Sequence, residues 1–254
     1  MTKISIVSAY HNRKEVLLKT LKTMKQSVYK DFEYIIVDDA SEPSQRIEDF
    51  ADEFSFVKLV RIEPEDKHHI NPCIPFNMGF SLIRGDIVII QAPECLHVGD
   101  VLSFVNNNSK DNQYLVFCCY SLSEEASNKL DVDNIVVKLR AKSTIEVGKD
   151  NSWFIHPIYR PAHYNFLTSI PTKDLLDLGG FDERFANGYG YDDTEFAARV
   201  SKKNMDIKFI ESPFCIHQFH KHNAIPSKEA TNRRLYDECV KSSNYKVKNS
   251  FIGE

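Results

Sequence analysis

The sequence predicts an α/β protein with a mostly parallel central sheet flanked by helices. Over the first hundred residues, short β-branched runs alternate with stretches of helical periodicity, the pattern of successive βαβ units. Polar and acidic residues follow the ends of those runs, where open α/β sheets bind ligands. Residues 3–8, KISIVS, read as the first strand. Asn12 offers a helix N-cap with Glu15 as its capping-box partner, and Leu17, Leu21 and Met24 recur on one face, so 13–26 reads as an amphipathic helix. Residues 33–38, EYIIVD, form the second strand, followed by a helix around 44–52, a strand near 57–61, a helix over 75–84 and a buried strand at 86–91.

Beyond about residue 105 the alternation loosens. YLVFCCY at 114–120 is a strand, the polar stretch 121–150 is a variable loop or a strand pair, and FLTSIP at 165–170 is a strand. Pro171 and Thr172 open a short helix that ends at Gly179-Gly180. Helices are expected over 192–203 and from 227 to about 243, with a loose C-terminal tail. No repeat or Pro/Gly-rich linker divides the chain, so 1–254 is taken as a single domain.

The composition excludes several classes. Of 254 residues, 42% are hydrophobic and 27% charged, which argues against disorder. The net charge of −4 lacks the basic excess of an electrostatic nucleic-acid binder. No apolar run is long enough to span a bilayer, which leaves only peripheral contact with a membrane open. The N-terminal segment does not resemble a signal peptide, and the six cysteines show neither a disulfide framework nor zinc spacing, so a cytoplasmic protein with reduced thiols is expected. The first strand carries no GxGxxG turn, and neither a P-loop nor a GxSxG elbow is present.

What the strand ends offer is acidic chemistry. Asp39 suits acceptance from a nucleobase N–H, and Glu94 suits a divalent cation held against a diphosphate. Asp38 and Asp39 also fit a simple turn before ASEPS. Asp192 with Glu195 three residues on makes a capping box, whereas Asp193 has no such duty. His217, His220 and His222 cluster after the strand-like PFCI. Strand alternation would put His220 and His222 on the face opposite His217.

Several motifs together resemble the family 2 glycosyltransferases, which have the GT-A fold. They are Ser8-Ala9-Tyr10-His11-Asn12, Gln26-Ser27-Val28-Tyr29, Val37-Asp38-Asp39-Ala40-Ser41, and Asn77-Met78-Gly79 before Arg84-Gly85-Asp86. GGFDERFANGYGYDDTEFAARV at 179–200 resembles the acceptor-side motif of galactosyltransferase-type enzymes. The resemblance implies a nucleotide-sugar-binding half over 1–105, an acceptor-binding half over 106–225 and a C-terminal helix and tail over 226–254. It implies a UDP-sugar donor, with Ser8, Ala9 and Tyr10 along the uridine, Asp39 on the uracil and Asn77 closing the base and ribose pocket. The acceptor would be a hydroxyl of a glycan or glycoconjugate. Asp193, beside Asp192, would be the general base of an inverting transfer, since a sugar hydroxyl is a weak nucleophile at neutral pH.

The chain departs from the family at the metal site, where the usual D-x-D is Ala92-Pro93-Glu94. Glu94 is expected to hold Mn²⁺ or Mg²⁺ with a C-terminal histidine, His217 first and His220 second. Trp153 and Tyr191 are candidate sugar platforms, although Trp153 fits a core position equally well. The competing expectation is a GT-A-like module that has lost its metal and binds a glycan or a protein partner without catalysis. A nucleotidyl-transfer enzyme would need a Gly-rich basic loop after the first strand, which SAYHNRKE is not.

Overall fold

The computed structural model describes residues 3–143, 151–221 and 226–247. The N-terminal half runs β1 (Ile4–Tyr10), α1 (Lys14–Lys25), β2 (Phe32–Asp39), α2 (Glu48–Glu53), β3 (Val57–Ile62), α3 (Cys73–Phe80) and β4 (Ile87–Gln91). The chain continues with β5 (Cys95–Val98), α4 (Val101–Asn108), β6 (Gln113–Ser121), α5 (Glu124–Asn128), β7 (Ser152–Ile155), β8 (Leu167–Pro171), α6 (Thr172–Leu178), α7 (Asp192–Lys202), β9 (Asp206–His217) and α8 (Pro226–Cys239).

One sheet carries the strands in the order β3-β2-β1-β4-β8-β6-β9-β5, with β7 paired beside β6. The β3-β2-β1-β4 portion is parallel throughout, as the βαβ alternation predicts. Beyond β4 the sheet is mixed: β8 is antiparallel to β4 and β6, β5 to β9 and β7 to β6, whereas β6 and β9 are parallel. The expectation of a mostly parallel sheet therefore holds for the first half only. Strands β1, β2 and β4 lie in the parallel portion, and apart from Ala9 their apolar residues are buried on both faces.

Local chemistry explains several departures. Asn12 does not cap α1. Its backbone is left-handed (φ 51°), and its side chain accepts from Glu42 N instead, so Arg13 becomes the N-cap residue without a side-chain cap bond. The helix expected over 44–52 splits into a 3₁₀ turn at Pro43–Gln45 and the short α2. Strand β5 and helix α4 were not foreseen; Asp100 caps α4 by accepting from Ser103 N. Within 121–150 the described residues form α5, capped by Ser123, while 144–150 fall outside the described residues. Gly85 is required by close packing: a Cβ there would lie 2.6 Å from Lys3 O and Ser5 N of the first strand.

Trp153 lies on β7. Its ring packs edge-on to Tyr120 and Phe214 in a second core cluster and is 6% exposed. The core position is the one it takes, and that burial removes it as a sugar platform.

Candidate active site

A cleft of about 740 Å³ opens at the carboxyl ends of β1, β2 and β4. Ala9 and Tyr10 end β1 and His11 to Arg13 follow it, Asp39 ends β2, and Ala92 to Glu94 follow β4. Tyr189 and Gly190 face them from the loop before α7, Asp192 and Asp193 from its first turn, and His220 and Lys221 close the rim after β9. Parallel strands entering from one side deliver their ends to one edge of the sheet, which is why positions distant in sequence meet here.

The two adjacent aspartates of β2 have separate tasks. Asp38 is fully buried, accepts from Ser41 N and pairs with Arg61, which is the turn role. Asp39 lines the cleft, with Lys67 Nζ and His69 Nε2 each 2.8 Å from one of its oxygens. Burial pushes the Asp39 carboxyl up, but the bonds from His69 and Lys67 outweigh it and hold it below the usual aspartate range.

Two residues expected at the nucleotide are committed elsewhere. The Ser8 hydroxyl is fully buried, between Tyr34 Oη and the Gln91 carbonyl. Asn77 is fully buried as well. Its amide donates to Phe181 O and Glu183 Oε1, and its carbonyl accepts from Phe181 N, so it ties α3 to the turn after α6. Ala9 and Tyr10 do line the cleft; the Tyr10 hydroxyl donates to Gln45 O at 2.6 Å.

Glu94 is 4% exposed and stands among three nitrogen donors. Its Oε1 lies 3.3 Å from His217 Nε2 and 3.1 Å from His220 Nε2, and its Oε2 accepts from Arg13 Nη1 at 2.8 Å. The two histidines therefore converge and do not face opposite sides, because β9 ends at His217 and alternation stops there. His222 lies outside the described residues. Of the converging pair, His220 reaches the cleft wall, while His217 sits behind it, 2% exposed. Burial raises the Glu94 carboxyl, yet the Arg13 and His220 charges and the histidine bonds drive it well below the usual glutamate range.

One ligand atom from each of Glu94, His217 and His220 lies within 4.8 Å of the others, a spacing that a single ion can bridge. The donor set, one carboxylate and two imidazoles, fits a borderline cation such as Mn²⁺ better than the all-oxygen preference of Mg²⁺.

Asp192 and Glu195 do not form a capping box. Tyr191, left-handed at φ 67°, precedes the helix without a side-chain cap bond, and Glu195 instead holds Arg199 through both oxygens at 2.7 and 2.8 Å. Asp192 accepts from Asn71 Nδ2 at 2.8 Å, and Asp193 accepts from Thr194 N at 2.6 Å and Thr194 Oγ1 at 3.1 Å. Burial, then the neighbouring Asp193 charge, pushes Asp192 up to about 7; burial likewise raises Asp193. Both carboxyls thus hold a proton more readily than a free aspartate, which suits groups that take part in proton transfer.

Helix α8 holds this loop in place. Asn232 Nδ2 donates to Phe185 O at 3.1 Å and Gly190 O at 2.7 Å, and a Cβ at Gly188 would lie 1.8 Å from Asn232 Oδ1. The Tyr191 ring packs 5.5 Å from that of Tyr236 on α8, so Tyr189, not Tyr191, presents to the cleft.

Sequence reasoning missed Arg13, Lys67, His69 and Asn71. Arg13 meets Glu94 across 81 positions, and Asn71 meets Asp192 across 121. No local spacing encodes such pairings. The only available signal was the position of Arg13 directly after the first strand-end motif.

The family model "Glycosyltransferase like family 2" matches residues 5–247, and the chain belongs to that family. No curated relative matches it. Among solved structures, residues 1–349 of S. aureus TarS align with TM-score 0.60 and 14% identity over 93% of this chain and 65% of that one. GalNAc-T7, solved with UDP, GalNAc and Mn²⁺, aligns at 0.67 and 13% over 93% and 49%. The Pyrobaculum calidifontis mannosyltransferase PcManGT, solved with GDP-Man and Mn²⁺, aligns at 0.55 and 14% over 95% and 73%. The chain thus spans less than two thirds of the TarS fragment and about half of GalNAc-T7. These likenesses establish the GT-A fold, and the chain is a glycosyltransferase-like GT-A domain. Among the described residues no helix is long and apolar enough to cross a membrane.

Proposed function

We propose that the chain is an inverting hexosyltransferase that moves a sugar from a UDP-sugar to a hydroxyl of a glycan or glycoconjugate. The observation that carries this reading is one cleft in which Asp39 and Glu94, at strand ends, face the Asp192–Asp193 pair. Asp39, with Ala9 and Tyr10 beside it, receives the uridine. TarS crystallised with UDP-GlcNAc and GalNAc-T7 crystallised with UDP support a uridine donor; PcManGT with GDP-Man is the counter-example to test.

Asp193 takes the proton of the acceptor hydroxyl as that oxygen bonds to C1 of the donor sugar. The bond from C1 to the diphosphate oxygen breaks on the opposite face, UDP leaves, and the anomeric centre inverts. Burial of Asp193 raises its affinity for a proton above that of a free aspartate, which favours the transfer. Asp192, anchored by Asn71, holds the pair in register and is the second acid. Glu94 with His220 and His217 would hold Mn²⁺, which supplies charge neutralisation to the departing diphosphate when bound. Tyr189 offers an aromatic face to the sugar, the part first expected of Tyr191.

A nucleoside-diphosphate-release assay over a panel of UDP- and GDP-sugars, with and without Mn²⁺, tests the reading. Metal-dependent turnover of one UDP-hexose is expected. Turnover of a GDP-sugar alone would replace the donor, and tight UDP binding without any turnover would make the chain a binding module.

A further inference from the structure

Glu94 divides its two oxygens between different kinds of partner. Oε1 faces the imidazoles of His217 and His220, whereas Oε2 is bonded by Arg13. Arg13 stands at the start of α1, its backbone N–H fixed by the Tyr10 hydroxyl at 3.2 Å. Its side chain reaches back over the cleft floor and is 31% exposed, against 5% for that of Glu94. The guanidinium therefore lies between a buried carboxylate and open cleft, and its charge also reaches Tyr189 on the facing loop.

This arrangement bears on the sequence change at the metal site. With Ala92-Pro93 ahead of Glu94, the strand end supplies a single carboxylate, and Arg13 cancels that charge. Arg13 also occupies the oxygen that a cation would need for bidentate binding. A divalent cation arriving alone meets two imidazoles and a neutralised carboxylate. A diphosphate arriving at the same place offers Arg13 a better partner, because the planar guanidinium fork matches phosphate oxygens and one N–H to Glu94 leaves most of its five donors unused by that bond.

We infer that Arg13 is a resident cation of the metal site, one that holds Glu94 until a nucleoside diphosphate arrives and then passes its guanidinium to the diphosphate, freeing Glu94 for the divalent ion. The inference rests on the donor and metal reading above. It makes Arg13 a diphosphate-binding residue whose loss moves two affinities in opposite directions.

The test measures Mn²⁺ affinity of the nucleotide-free protein by electron paramagnetic resonance, and UDP affinity in saturating Mn²⁺ by calorimetry. Arg13→Met removes the charge at similar length. Mn²⁺ should bind about tenfold tighter, the scale expected for deleting one cation beside a divalent ion at a partly exposed site. UDP should bind about tenfold or more weaker, the scale of a charge-assisted hydrogen bond. Arg13→Lys keeps the charge without the fork, so Mn²⁺ affinity should stay at the wild-type value while UDP weakens. A merely structural Arg13 would not separate these readouts. Unchanged affinities in Arg13→Met, or weaker Mn²⁺ binding, overturn the inference while leaving the donor reading intact. Should Arg13→Met fail to fold, unchanged UDP affinity in Arg13→Lys overturns it instead. Wild-type protein that binds neither Mn²⁺ nor UDP defeats the donor reading itself, and the inference with it.

Discussion

Replacing Asp193 by Asn tests the proposed base with little disturbance of shape. The Asn carbonyl oxygen can still accept from Thr194 N and Thr194 Oγ1, the two bonds that hold the carboxylate at 2.6 and 3.1 Å. What disappears is proton affinity. General-base catalysis contributes about 10²–10⁴-fold, so kcat for sugar transfer should fall by that factor while UDP affinity, set on the opposite wall, stays within about twofold. Asp192→Asn is the control. It keeps an acceptor for Asn71 Nδ2 and loses only a charge. Because the Asp193 charge is part of what lifts Asp192 to about 7, the two carboxyls repel when both are ionised. Wild-type kcat should rise with pH as Asp193 loses its proton, above the range of a free aspartate because burial raises that carboxyl. The assay is kcat against pH for wild type and both variants, with UDP affinity measured in parallel. If Asp193→Asn keeps more than about a tenth of wild-type kcat, it is not the base; if Asp192→Asn is the crippled variant, the base lies one residue earlier.

Three further outcomes are expected. Asp39→Ala should weaken UDP binding by about 1.5–3 kcal/mol, as for a hydrogen bond to a charged group, and an unchanged calorimetric affinity would remove Asp39 from the base site. Chelation should abolish transfer and Mn²⁺ restore it, with His220→Ala raising the Mn²⁺ requirement more than His217→Ala because only His220 reaches the cleft; full activity of both variants in chelator would end the metal assignment. Stability should respond to pH through Asp192. Its carboxyl is raised in the folded protein, so stability present below the free aspartate value of about 4 is lost as pH climbs toward 7. In urea unfolding, Asp192→Asn should gain on wild type across that window and no further above it, and an equal gap at both ends would refute the shift.

The alternation of β-branched runs and helical periodicity placed β1, α1, β2, β3, α3 and β4 within a few residues, because those elements satisfy their hydrogen bonds and bury their apolar faces through local pattern. The same pattern put Asp39 and Glu94 at strand ends, and the strand-end rule then made them site candidates before any coordinates. Tertiary structure decided the rest. Whether β8 and β5 run antiparallel depends on how the chain returns to the sheet, which no single segment encodes. Asn77 matched a motif, yet its amide is consumed by Phe181 and Glu183, residues more than a hundred positions away. Trp153 had two equal readings until Tyr120 and Phe214 closed around it. The histidines follow the same logic: alternation describes a strand only while it remains paired, and β9 ends at His217, so His220 joins His217 on Glu94 and does not take the opposite face. Residue type and local spacing thus gave the groups capable of acid and base chemistry. Which of them meet, and which are spent on packing, follows from long-range contacts that arise only when the whole sheet closes.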